Sequence, residues 1–313
     1  MPGRAGERRA APSGCALFPQ TGLDRTPTKA RTDLVKPAGV ETWSRVVKRL
    51  LLALLCAAAV AQPVQASPRS GSVLLGDGFD GRSVHPSSWH IPTWVSPTDG
   101  TYVGRTQFRV TQNAMMPGVA HGDVELALET YNPTGFSFYG TDLISDRAFT
   151  VGNGLAVQVR AKMDTPTRRG LVGGIFLYAL EPGSTTLHDE IDFELLGNDP
   201  THVHTNVYAG EPLGAGRPAA TRYAAGTVTD YHDYEIRWLP GEVSWYVDGS
   251  LVRRETRRVP STPMNLHLNI WAPAADWAQA YDAGLQPVTS PRSNRVWTMG
   301  VESVVVARIN PPA

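Results

Sequence analysis

His188-Asp189-Glu190-Ile191-Asp192-Phe193-Glu194-Leu195-Leu196-Gly197 reads as a β-strand with two unlike faces. Side chains alternate across a strand, so Glu190, Asp192 and Glu194 share one side while Ile191, Phe193 and Leu195 share the other. The apolar set points into a core and leaves the three acids on an open surface. Like charges this close resist simultaneous ionisation, and at least one pKa rises, which keeps a general acid protonated near neutral pH.

Spacing narrows the chemistry. Four steps of ~3.3 Å separate the α-carbons of Glu190 and Glu194 by roughly 13 Å, and each side chain can lean about 4 Å along the strand, bringing the carboxyl groups to about 5 Å. Retaining glycosidases hold their two carboxyl groups ~5 to 5.5 Å apart, whereas inverting ones leave ~6.5 to 9.5 Å for a water. The estimate favours retention without excluding inversion. Asp192, shorter and central, is placed to hydrogen-bond a neighbouring Glu.

Working outward, residues 67–313 read as β throughout. Short apolar or alternating runs cover 124–128, 155–161, 172–180, 191–196, 203–208, 234–238, 243–247, 266–271 and 301–309, separated by Gly, Pro, Asn and Asp. Asp248-Gly249 is a hairpin signal between Trp245-Tyr246-Val247 and Leu251-Val252. Many strands without a long helical period predict an all-β sandwich or jelly roll. There is no internal repeat and no second domain; the Pro-rich end from Pro311 is a tail.

The stretch from His188 to Asn198 resembles the signature of family 16 glycoside hydrolases. The resemblance continues into His204-Thr205-Asn206-Val207-Tyr208 and, more loosely, into Trp238, Trp245-Tyr246-Val247-Asp248-Gly249 and Asn269-Ile270-Trp271. It implies a concanavalin-like β-jelly-roll sandwich of two curved antiparallel sheets with a sugar-binding cleft. It further implies Glu190 as nucleophile, Glu194 as acid/base and Asp192 as the assisting acid. The expected activity is a retaining endo-β-glucanase cleaving a β-linked polysaccharide, without an organic cofactor. Some members carry a structural calcium ion, whose ligands this sequence does not mark.

Rival readings differ in what they require. A solvent-facing acidic strand is common, yet three acids in register flanked by His188 are not the ordinary case. A metal site could recruit His188, His202 and His204 with the acids, but its ligands would lie along one strand, whereas metal cages draw on several elements. His188 on the acidic face is instead expected to hydrogen-bond the acids. A transglycosylase would use the same acids with a sugar acceptor in place of water. A non-catalytic glycan-binding sandwich would keep the aromatics and lose an acid.

Pyranose rings pack on aromatic side chains while their hydroxyls seek polar partners. Trp271, Trp277, Tyr139 and Trp94 are the aromatic candidates for such a cleft, Asn206 and Arg105 are candidates for hydroxyl contacts, and His188 is counted with them as a substrate-binding candidate. For any single aromatic, core packing is the commoner fate.

The chain's beginning bears on location. Val46-Val47-Lys48-Arg49 precedes an apolar run over 50–61, and Val64-Gln65-Ala66 supplies the small residues of a cleavage site, the pattern of a secretory signal peptide over 46–66. The run is shorter than the ~20 residues that span a bilayer. Residues 1–45, rich in Pro, Arg and Gly, read as a disordered leader or a misassigned start. The expected product, residues 67–313, is an extracellular or periplasmic catalytic domain, free of the membrane after cleavage and monomeric.

The neutral total charge conceals an asymmetry. Residues 1–66 hold 10 Lys and Arg against 4 Asp and Glu, which leaves 19 bases and 25 acids in the remainder. A mildly acidic domain without a Lys/Arg cluster argues against nucleic acid and fits a neutral polymer. Both cysteines, Cys15 and Cys56, precede the expected cleavage point, so the core must hold without disulfides.

Overall fold

The computed structural model describes residues 70–92, 102–108, 117–120, 122–164, 166–212 and 214–309. The expected leader over 1–45, the expected signal peptide over 46–66 and the candidate Trp94 lie outside the described residues. No helix among the described residues is long and apolar enough to cross a membrane.

The strands run in chain order as β1 (Ser70–Asp77), β2 (Trp89–His90), β3 (Tyr102–Val103), β4 (Thr106–Phe108), β5 (Gly118–Ala120), β6 (Asp123–Glu129), β7 (Phe138–Gly140), β8 (Asp142–Phe149) and β9 (Leu155–Met163). They continue as β10 (Val172–Leu180), β11 (Leu187–Leu196), β12 (His202–Pro212), β13 (Ala219–Arg222), β14 (His232–Leu239), β15 (Glu242–Val247), β16 (Ser250–Glu255), β17 (Met264–Trp271) and β18 (Val296–Ile309). One sheet has the order β16-β15-β14-β9-β18-β6-β7-β4-β3, with β1 on β18 and β5 on β6. The other has the order β13-β12-β11-β10-β17-β8-β2. Every strand pairing is antiparallel except β4 with β7.

The two sheets face each other across one apolar core, as the alternation in β11 requires. Ile191, Phe193 and Leu195 are fully buried there, together with Val157, Val159, Tyr234, Trp245 and Val304 from the opposite sheet. Burial of each such side chain contributes about 1.5–3 kcal/mol. Trp245 also reaches across the core, its Nε1–H donating to the Asp192 carbonyl at 2.9 Å. That bond anchors the acidic strand from behind.

The run over 172–180 coincides with β10, and the other eight lie inside longer strands. Asp248 and Gly249 take φ of 50° and 76°, the left-handed pair that a two-residue hairpin between β15 and β16 demands. Asp248 accepts this conformation because its carboxylate accepts from the Asp233 N–H and bonds His232.

The chain passes from one sheet to the other between β7 and β8. A Cβ at Gly140 would stand 2.5 Å from the Ile270 carbonyl oxygen and 2.5 Å from the Thr106 methyl. Since a backbone carbonyl cannot retreat as a flexible side chain does, Gly140→Ala is expected to cost about 1–3 kcal/mol. Calorimetry should show Tm lowered by several degrees; an unchanged Tm would mean that the crossover gives way more easily than its packing implies.

Candidate active site

The side of the seven-stranded sheet turned away from the core carries the acids, and strand register decides what stands beside them. Glu190 faces Tyr178 on β10 and Tyr208 on β12; Asp192 faces Phe176 and Asn206; Glu194 faces Gly174 and His204. One strand further, β17 sets Asn265 beside Tyr178, His267 beside Phe176, Asn269 beside Gly174 and Trp271 beside Val172. Gly174 leaves room for the Asn269 amide, since a Cβ there would stand well inside van der Waals contact of Asn269 Oδ1 and would force that side chain to shift.

The three acids occupy unlike environments. Burial and then the neighbouring Glu190 charge push Glu194 up to about 8. Asp192 is held well above the usual carboxylate range by burial, then by Glu194 and Glu190, against the opposing pull of the Asn206 N–H and Arg253. Like charges in a dry site therefore leave protons on the row at neutral pH. The same charges act on the phenols. Tyr208 is pushed up to about 12 by burial and then by Glu190, Asp192 and Glu194, and Tyr178 is raised by burial and then by Glu190.

His188 is buried between Tyr178 and Tyr208, with ring centroids 5.4 Å and 4.4 Å away, and its Nε2 lies 3.1 Å from Glu190 Oε2. It stands against the acidic row instead of lining an open binding surface. Its chain neighbour Asp189 points inward. The buried Asp189 carboxylate accepts the N–H groups of Gly210, Ser261 and Thr262 at 2.7, 2.8 and 2.8 Å, tying two flanking segments to the base of Glu190.

Asn206 is buried beside Asp192; its Nδ2 lies 3.4 Å from the Tyr208 hydroxyl and its Oδ1 accepts the Val207 N–H. Trp271 and Trp277 sit together at one end of the face, centroids 5.6 Å apart, over Val172, Leu196 and Ala280. They form a half-buried aromatic ledge. His202 and His204 both turn to Asp199, at 2.8 and 3.0 Å.

Two expectations need correction. Tyr139 belongs to β7 in the other sheet and is buried, its hydroxyl donating to Asn132 Oδ1 at 3.3 Å, so it supports a turn and does not line the face. Arg105 spends its guanidinium on the carbonyls of Pro273, Leu285 and Asp282 and lies over the rings of Phe138 and Tyr281. It clamps the segment after Trp271, where it had been expected to bind sugar hydroxyls. Conversely, Phe176, Tyr178, Asp142 and His267 join the face without having been singled out as site residues. Counting back from the acids through an antiparallel register would have found Phe176 and Tyr178; nothing in the sequence marks the pairing of β17 with β8.

Among the described residues, no group of three or more His, Cys, Asp or Glu side chains is arranged to hold a metal ion.

Residues 104–286 match the family profile described as Glycosyl hydrolases family 16. The chain is 34% identical over 170 residues to the beta-glucanase of Bacillus amyloliquefaciens, covering 53% of this chain and 66% of that protein. It is 36% identical over 121 residues to the beta-glucanase of Paenibacillus macerans, covering 38% and 49%. The chain thus spans between about half and two thirds of these curated relatives. Among solved structures, a prokaryotic beta-1,3-1,4-glucanase (lichenase) derived from a mouse hindgut metagenome superposes with a TM-score of 0.59 at 25% identity, covering 75% of this chain and 99% of that one.

Proposed function

The chain belongs to glycosyl hydrolase family 16, and from that membership and the geometry of β11 we propose that it is an exported, retaining endo-β-glucanase acting by double displacement. The observation that carries this reading is the pairing of a half-buried Glu190 with a Glu194 whose proton is retained to about pH 8 on the same open face. One carboxylate is available to attack and one acid is ready to donate.

In the first half-reaction, Glu190 bonds to the anomeric carbon as the glycosidic C–O bond breaks, and Glu194 gives its proton to the departing oxygen. In the second, Glu194 takes a proton from water, whose oxygen bonds to the anomeric carbon while the ester to Glu190 breaks. Asp192 stays between them, and burial, then Glu194 and Glu190, raise its pKa and so oppose a further negative charge in the row. Trp271 and Trp277 offer a ledge on which pyranose rings pack.

The test is digestion of soluble β-glucans of several linkages, with product sizing and NMR observation of the first-formed anomer. Internal cleavage yielding the β-anomer is expected. First appearance of the α-anomer would replace double displacement by inversion, and no reducing-end release from any β-glucan would overturn the reading.

A further inference from the structure

We propose that His267 is a substrate-binding residue that helps set the specificity of the open face, its Nε2 accepting a hydroxyl hydrogen from a glycosyl unit lying beside Phe176. The proposal rests on the reading of this face as a glycan groove.

His267 is two strands from Asp192 in one row across the sheet, with Phe176 between them. Its ring stacks on Phe176 at a centroid distance of 4.8 Å and 20° between planes, and meets Tyr178 edge-on at 5.9 Å. Nδ1 lies 3.1 Å from Asp142 Oδ2. In the neutral ring, a carboxylate at that position holds the proton on Nδ1 and leaves the lone pair on Nε2. The bond to Asp142 is the only hydrogen bond of the ring among the described residues, and the side chain keeps 14% exposure. The imidazole is thus fixed in plane, tautomer and direction, with one acceptor uncommitted.

Its surroundings have the same bias. Asp142 Oδ1 and Asn269 Oδ1 are buried and have no hydrogen-bond partner among the described residues. Buried acceptors left unmet cost about 1–3 kcal/mol each, and these two make the neighbourhood of His267 rich in acceptors and poor in donors. An aromatic platform ringed by acceptors suits an unsubstituted sugar ring, which brings hydroxyl donors at its edge and C–H groups on its face. A purely structural His267, present only to pack on Phe176, would need neither the carboxylate at Nδ1 nor the free nitrogen.

The decisive comparison is calorimetric titration with cello- and laminari-hexaose of Glu190→Gln protein, with and without His267→Phe. Phenylalanine retains the stacking ring and removes the lone pair. The expected result is Kd raised about tenfold by His267→Phe, with His267→Gln, which keeps an acceptor, restoring most of the loss. In proteins with Glu190 intact, KM should rise in the same proportion and kcat change little. As a second measurement needing no change at His267, its ¹⁵N Nε2 resonance in the Glu190→Gln protein should move on oligosaccharide addition. Equal affinity of a folded His267→Phe protein, or an Nε2 resonance that stays fixed at saturation, would overturn the proposal. If the wild-type chain binds these sugars without cleaving any glucan, the hydrolase reading fails while the affinity comparison still decides the role of His267.

Discussion

Replacing Glu190 with glycine is expected to lower turnover by roughly four to six orders of magnitude, the scale on which removal of an attacking group is felt. Loss of activity alone would not identify a nucleophile, because damage to the row would look the same. Chemical rescue does. In Glu190→Gly the vacated volume admits azide on the face from which Glu190 would attack, and Glu194 remains to protonate the leaving oxygen. With an aryl β-glucoside, the C–O bond breaks as the C–N bond forms from the opposite face, and the product is an α-glycosyl azide. In Glu194→Gly the ester to Glu190 still forms with an activated aryl leaving group; azide then displaces it and yields the β-glycosyl azide. NMR of the products distinguishes the two. A β-azide from Glu190→Gly would exchange the roles of the two residues, and near wild-type turnover of that variant on every soluble glucan would remove Glu190 from the mechanism.

The second large effect is on the pH dependence. Glu194 must carry a proton to act as acid, and burial together with the Glu190 charge raises its pKa to about 8. Activity should therefore persist through neutral pH, and kcat/KM should fall about tenfold per unit above pH 8. Glu194→Gln should cost about 10²–10⁴ in kcat with an unactivated glucan and abolish that alkaline limb. Stability should also fall as pH rises. A carboxyl whose folded pKa lies above its unfolded value contributes stability that is present at low pH and is lost as pH rises from about 4.5 through about 8. Glu194→Gln is relieved of that loss, so its Tm should exceed that of the wild-type chain at pH 9 and approach it at pH 4. An alkaline limb surviving in Glu194→Gln would assign the titration to another group.

What could be read from the sequence follows from where periodicity is undisturbed. β11 alternates without interruption over Glu190–Leu195, and its apolar and acidic faces fall as the alternation requires. Asp248-Gly249 was legible because two adjacent left-handed residues restrict the choice of side chain so strongly. β1, β8 and β13 were not. β1 pairs with β18 through two register shifts, which break the alternation. β8 begins with four consecutive buried residues, Asp142 to Ser145, because it enters the sheet directly from the crossover, and two of those four are polar. β13 is a four-residue edge strand with little apolar content. The three acids of the row were visible because β11 alone carries them. His267 and Asp142 were hidden because their partnership spans 125 residues and depends on the register of β17 against β8. Arg105 and Tyr139 were misread for the complementary reason: composition places polar and aromatic residues near a cleft, but only coordinates show whether their hydrogen-bonding groups are already engaged.

The indole of Trp245 pinning the Asp192 carbonyl from the far sheet gives the acidic strand little freedom to shift between half-reactions. The clock must then be electrical. In the double displacement proposed above, the charge of Glu190 vanishes once it becomes an ester, and of the two influences that keep the proton on Glu194 only burial remains. The same carboxyl, in the same position, would then turn from proton source to proton sink, and the site would reset while its scaffold stands still.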